Sequence, residues 1–136
     1  MKIFSKGYTV IELLLTVVII SVGMVGIMSL FENATKGALQ ADLNIIAANL
    51  CRERLEIIVS DKAAYGYASI LSESYPDENF SSDFSVYTRN IVVTEVGSSD
   101  LLTESIGSGY KRIDVTVRWG SENSQKVSIP TVLSEY

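Results

Sequence analysis

The feature that most constrains this chain is a stretch of nineteen residues, 13–31, without a single charged side chain. As an α-helix rising about 1.5 Å per residue, it extends about 28 Å, close to the roughly 30 Å hydrocarbon core of a bilayer. Gly23 and Gly26 within it disfavour a helix in water but are common in transmembrane helices, where small residues let helices approach closely. The stretch therefore predicts one membrane-spanning helix, with these glycines as its packing positions.

The charges on either side of this stretch predict its orientation. Lys2 and Lys6 precede it, and Glu32 is the first charge after it. Because cytoplasmic flanks are enriched in lysine and arginine, the N-terminus is expected in the cytoplasm and the rest outside. A cleaved secretory signal is the alternative, but the sequence MSLFENA after the run lacks suitably placed small residues. We therefore expect a single-pass membrane protein that keeps its apolar helix.

The residues before the apolar stretch form a specific pattern, KGYTVIELLL at positions 6–15. A short basic leader ends at Gly7, and Glu12 follows five residues later, where the uncharged run begins. This resembles the class III signal of type IV pilins and of the related pseudopilins of type II secretion. The resemblance implies that a prepilin peptidase removes residues 1–7 by cleaving between Gly7 and Tyr8, and that the new N-terminus is methylated. Tyr8 stands where the family usually has phenylalanine, and the mid-helix proline of major pilins is absent.

An ionisable residue at the start of a membrane helix marks either a hydrated boundary or a partner. In an apolar bundle a carboxylate and a terminal amine are each costly unless they are paired. We therefore expect Glu12 to pair with the Tyr8 amine of its own or a neighbouring subunit and so to fix the axial register of the packed helices. The partners implied are other pilin or pseudopilin subunits, the prepilin peptidase, an inner-membrane assembly platform and, before assembly, the lipid bilayer.

A one-sided apolar pattern continues from residue 32 to residue 59. No proline interrupts residues 8–75. One helix is therefore predicted, with residues 8–31 as its membrane or filament-core half and 32–59 as its amphipathic half. A coiled-coil seam is the alternative, but the heptad is not sustained, which favours packing on a sheet. The apolar positions are Ala38, Leu39, Leu43, Ile46, Ala47, Leu50, Cys51, Leu55 and Ile58.

Residues 60–136 are predicted to form a head built on an antiparallel sheet. Residues 60–83 contain glycine, proline, serine and acids and indicate a loop, whereas the β-branched and aromatic residues of 84–96 indicate a strand. A segment rich in glycine and serine, 97–109, then leads to a hairpin.

The hairpin pairs residues 110–119 with residues 125–133, and apolar side chains alternate along both strands. Pro130 places the last strand at an edge of the sheet. The fold class predicted is therefore α+β, with the long N-terminal helix packed on a small antiparallel sheet. The sequence AANLCRERLEII at 47–58, followed by the late strand and Trp119, also resembles the minor pilins called PilV and pseudopilin I.

Composition excludes several classes of function. The net charge of −5 and the pI of about 4.7 give no basis for nucleic-acid binding. Without histidine, the chain lacks the commonest general base and metal ligand, so neither a cofactor nor a metal is expected. A lone cysteine, Cys51, is interpreted as a small buried hydrophobe rather than a reactive thiol.

Four acids in the 60–83 segment raise the question of calcium, but they lack the spacing and glycine of a known calcium loop, so a solvated loop is favoured. They are Glu73, Asp77, Glu78 and Asp83.

Three classes of function are compatible with these features. A minor pilin or pseudopilin, structural rather than enzymatic, explains both the leader pattern and the helix, and its head lies in the periplasm or at the cell surface. A single-pass membrane-tethered binding module explains the helix and the head but leaves the spacing from Gly7 to Glu12 as coincidence. A membrane-bound enzyme would have only an acidic pair such as Asp77 and Glu78 for acid–base chemistry.

Overall fold

The computed structural model describes residues 9–121 and 124–136. It contains one long helix and four strands: α1 (Val10–Tyr65), β1 (Glu78–Asn79), β2 (Thr88–Glu95), β3 (Tyr110–Trp119) and β4 (Gln125–Ser134). The chain divides into two compact units, Met1–Ala41 and Asp42–Tyr136. The predicted α+β class, a long N-terminal helix and a small antiparallel sheet, is confirmed.

The helix ends at Tyr65, beyond the predicted residue 59. Lysine and alanine at positions 62–64 favour a helix. The loop-like composition of the residues after them led to the prediction of a loop from residue 60. Gly66 ends it with a positive φ of 86°, and its N–H donates to the carbonyl of Lys62 over 2.9 Å. Three 3-10 turns follow before the second strand, at Tyr67–Ser69, Ser72–Ser74 and Ser82–Phe84.

The four strands form one antiparallel sheet in the order β1-β2-β3-β4. The strand predicted from residue 84 begins at Thr88, because a 3-10 turn with Ser82 at a φ of 56° occupies the positions just before it. The two-residue strand β1 was not predicted, since its residues, Glu78 and Asn79, carry no apolar alternation. The hairpin of β3 and β4 is confirmed, with Val115 opposite Ile129.

One face of the sheet packs on the helix within the second unit. Ala47, Cys51 and Ile58 of α1 are fully buried, as predicted from their spacing. The alternating side chains of β3 that face them are buried as well, namely Lys111, Ile113, Val115, Val117 and Trp119. The predicted stripe also included Ala38 and Leu39, but both belong to the first unit and are exposed, so this part of the prediction was wrong.

Pro130 lies on the edge strand β4, as predicted. The N–H of Glu135 donates to the carbonyl of Gly109 over 2.8 Å, so odd-numbered residues of β4 direct their N–H groups towards β3. The backbone nitrogens of even-numbered residues face the free edge, and that of Pro130 carries no hydrogen. The proline therefore removes no bond from the β3–β4 ladder and leaves a gap among the donors of the free edge.

Candidate functional site

The acid singled out in the sequence lies in the first turn of α1. Thr9 precedes the helix, and its side-chain oxygen accepts a hydrogen bond from the N–H of Glu12 over 3.3 Å. The carbonyl of Glu12 in turn accepts the hydroxyl of Thr16 at 2.7 Å. The Glu12 side chain is exposed at the positive end of the helix dipole, which favours a carboxylate there. None of the ion pairs among the described residues includes Glu12.

The apolar residues that follow are all exposed. Every large aliphatic, aromatic or methionine side chain from Val10 to Phe31 is more than half accessible. The most apolar window of the helix has a mean hydropathy of 2.6, and none of it is buried within the chain. This helix is long and apolar enough to cross a membrane, as predicted. An apolar surface of this extent in water would be a strong aggregation site, so lipid or another protein must cover it.

The two glycines of this segment lie on open surface. A methyl group built on Gly23 or on Gly26 would meet nothing within 4 Å. Nothing inside the described chain therefore requires glycine at either position. Their small size leaves the backbone approachable from outside, which is where close helix–helix contacts form in membranes.

Several hydroxyl groups in this half of the helix are satisfied by the helix backbone. Ser21 and Thr35 donate their hydroxyls to the carbonyls four residues earlier, at 2.7 Å and 2.8 Å. The first charges after the apolar run, Glu32 and Lys36, form an exposed ion pair at 2.6 Å. The hydroxyls of Thr16 and Ser21 therefore add little cost when the segment between Glu12 and Glu32 is buried against a neighbour.

Glu78, one of the acids considered for calcium or acid–base chemistry, is instead part of the head's packing. Its carboxylate accepts hydrogen bonds from Arg54 of α1 and from Arg89 of β2. The prediction of a solvated loop was therefore wrong for Glu78, because two arginines from distant segments converge on it. Its neighbour Asp77 accepts from the side-chain amide of Asn90 at 2.6 Å. No three His, Cys, Asp or Glu side chains of residues 9–121 and 124–136 are grouped to hold a metal ion.

Cys51 is fully buried, which confirms the interpretation of a small hydrophobe. Its thiol lies 3.6 Å from the carbonyl of Val115 and 3.7 Å from that of Val127. Burial raises the pKa of the Cys51 thiol above its ordinary value, which keeps it protonated and unreactive.

The structure thus describes only some of the predicted site residues. Glu12, Gly23 and Gly26 lie on the exposed apolar half of α1, whereas the predicted cleavage site, Gly7 and Tyr8, lies outside the described residues. The pairing of Glu12 with the Tyr8 amine stays a prediction. Sequence reasoning missed the convergence on Glu78, and it also missed two strongly exposed aliphatic residues in the 97–109 segment.

Comparison of the chain with protein-family models, with curated proteins and with solved structures gives no match in any of the three. The architecture itself, a long N-terminal apolar helix and a small antiparallel sheet, is compatible with a pilin-like fold.

Proposed function

We propose that the chain is a minor pilin or pseudopilin, a structural subunit of a type IV pilus-like filament. The observation that carries the proposal is the fully exposed apolar segment between Glu12 and Glu32, which continues as one helix into the amphipathic segment on which the sheet packs. A single helix that meets lipid first and other helices later would need this continuous hydrocarbon surface. The leader pattern ending at Gly7 supports the same function, since a plain anchor requires neither that glycine nor Glu12.

Assembly exchanges lipid contacts for helix–helix contacts. Gly23 and Gly26, with open space around both, permit the close backbone approach that drives such packing. Glu12 would then be removed from water, and in this proposal its charge is balanced by the methylated Tyr8 amine of its own or a neighbouring subunit. The head carries no part of this contact and faces outward or lies at a filament tip.

The experiment that tests the class is intact mass and N-terminal sequencing of the protein from membranes that contain a prepilin peptidase. We expect a chain that starts at Tyr8 and is heavier by one methyl group. A matched variant, Gly7→Val, should remain at full length with no methyl group. Wild-type protein that still starts at Met1 in those membranes would refute the proposal and favour a membrane-tethered binding module.

The assembly role of Glu12 has its own test. Glu12→Ala should be processed normally yet be recovered poorly in filaments sheared from cells. Glu32→Ala is the matched control, because it removes an exposed acid from the same helix outside the apolar segment. If Glu12→Ala enters filaments at the level of Glu32→Ala, the carboxylate has no part in assembly.

A further inference from the structure

The segment between β2 and β3, residues 97–109, is held in a fixed shape despite its glycine and serine content. Asp100 accepts hydrogen bonds from the N–H groups of Leu102 and Thr103 at 3.1 Å each. The carbonyl of Thr103 accepts the N–H of Gly97 at 2.9 Å. Leu101 adopts a positive φ of 56°, which is costly for a leucine and persists only where the surroundings impose it.

The far end of the segment is held by Glu95, the last residue of β2. Its carbonyl accepts the N–H of Ser105 at 2.9 Å, and its carboxylate accepts the N–H of Gly107 at 2.8 Å. These hydrogen bonds hold the loop in one conformation, so the side chains that it exposes have fixed positions.

Two of the side chains that this loop exposes are large and aliphatic. Leu102 is 65% exposed and Ile106 is 97% exposed, although both are large hydrophobic residues. Leu101 and Leu102 form one wall of a cleft of about 360 Å³, and Pro130 and Val132 of the edge strand β4 form the other. We call Leu101, Leu102, Pro130 and Val132, which line this cleft, the loop–edge surface.

The charged residues around the loop–edge surface indicate which kind of partner it can bind. Residues 95–110 include Glu95, Asp100 and Glu104 but no lysine or arginine. Arg112, the cation among the described residues that line the cleft, is neutralised by Asp114, to which it donates from Nη2 over 2.8 Å. Hydrogen bonds from Thr103 and from backbone N–H groups lower the pKa of Asp100 to about 2, so this acid stays charged at any physiological pH.

We propose that the loop–edge surface docks a segment of a different protein in which an aliphatic or aromatic side chain stands next to lysine or arginine. The apolar side chain enters the cleft beside Leu102, and the basic side chain faces the acids of the loop. A two-fold contact between copies of this chain would place those acids against each other, which is unfavourable. An anionic membrane surface would be repelled in the same way.

The contact is made through side chains rather than by adding a strand. Pro130, in the middle of the free edge of β4, offers no N–H to an incoming strand. The inference does not rest on the filament proposal, because the surface lies entirely within residues 95–132 of the head. A chain that starts at Met1 would carry it equally.

The test is photo-crosslinking of the full-length chain in the cells that produce it, with benzoylphenylalanine incorporated at position 132, which lines the cleft. We expect one major product, in which mass spectrometry locates the cross-link to a segment with an apolar residue beside lysine or arginine. Leu102→Asp and Glu104→Lys should each lower its yield at least about fivefold, the loss typical of one contributing contact. Phe84→Asp, at an aromatic residue 43% exposed outside this surface, should leave the yield unchanged.

A second measurement uses the captured segment as a synthetic fluorescent peptide and the full-length chain in detergent. Binding should weaken as salt rises and should be lost in Leu102→Asp, provided that variant unfolds at the wild-type temperature. The proposal is overturned if the product is a second copy of this chain or a lipid, or if no product forms. It is equally overturned if the captured segment is acidic, or if the yield ignores both substitutions.

Discussion

Arg89 donates from Nε to Oε2 of Glu78 over 3.0 Å, and this contact ties the two-residue strand β1 to its neighbour β2. The same guanidinium reaches the carbonyl of Leu50 in the helix at 2.8 Å, and Arg54 of the helix binds the same carboxylate. Arg89 is only 4% exposed, so its charge depends on these partners. The helix and two strands of the head therefore meet at one ionic cluster around the buried guanidinium of Arg89.

Glu78→Gln should destabilise the head strongly. Among the described residues, the acidic partner left to the buried Arg89 is Glu53, at 3.3 Å and with a side chain 57% exposed. Removing one member of a buried pair costs roughly 3 kcal/mol, because the remaining charge is uncompensated. Urea unfolding of the full-length chain in detergent, followed by the fluorescence of Trp119, measures the change, since this single tryptophan is 2% exposed. Glu53→Gln is the control and should cost less than about 1 kcal/mol; equal losses would contradict the role given to Glu78.

Two neighbouring isoleucines test how the helix packs on the sheet. Ile58 is fully buried, whereas Ile57 is 38% exposed. Ile58→Ala should lower the free energy of unfolding by about 3 kcal/mol through lost burial and a residual cavity. Ile57→Ala should cost about 1 kcal/mol or less. The same urea titration checks both, and the reverse order would mean that a different face of α1 covers the sheet.

The sequence predicts those parts of the fold whose pattern lies within one short segment of the chain. Alternation along β3 and helical spacing from Leu43 to Ile58 repeat within single segments, so the sheet face and the helix face followed from them. The cluster around Glu78 joins residues from three segments, at positions 54, 78 and 89, and no local period relates them. Whether an acid such as Glu78 is solvated therefore depends on contacts between segments that are distant in the sequence.

The candidate functional features also divide into those that a local sequence pattern predicts and those that only the fold shows. The spacing from Gly7 to Glu12 and the charge-free run after it are local, so they point to a function without any structure. The loop–edge surface gave a weaker signal, since Leu102 and Ile106 are aliphatic residues in a segment rich in glycine and serine. Only the fold shows that Asp100 and Glu95 accept backbone hydrogen bonds that shape this loop, and that Leu101 and Leu102 line a cleft together with residues of β4.

Tyr75 should make the stability of the head fall at high pH. Burial, first, and then the hydrogen bond from its hydroxyl to Asp61 at 3.0 Å raise the pKa of Tyr75 from 10.0 to about 12. Above pH 10 the unfolded chain releases a proton that the folded chain keeps, so the free energy of unfolding declines as the pH rises from 10 to 12. Below pH 10 the contribution is fully present.

The loss attributable to Tyr75 is on the order of 2 kcal/mol across that window. Unfolding free energies at pH 9.5 and pH 11.5 should differ less in Tyr75→Phe than in the wild type. Burial also raises the pKa of Tyr87, so the variant should keep a residual slope. Tyr65→Phe, at a tyrosine 76% exposed, is the control. An unchanged slope in Tyr75→Phe would show that its hydroxyl titrates alike in both states.

Pro130→Val should make the heads associate. The new N–H points to the free edge of β4, as the bond from Glu135 to Gly109 requires, so it completes the row of donors that the proline interrupts. Light scattering of the full-length chain in detergent should show a mass that grows with protein concentration in this variant and stays constant in the wild type. Thr131→Val is the matched control, because its N–H faces β3 and the substitution leaves the edge as it was. If Pro130→Val and Thr131→Val have the same mass at the highest protein concentration, the proline does not protect the edge of the sheet. Its position in the cleft that Leu102 also lines would then be the next explanation to test for a proline at this site.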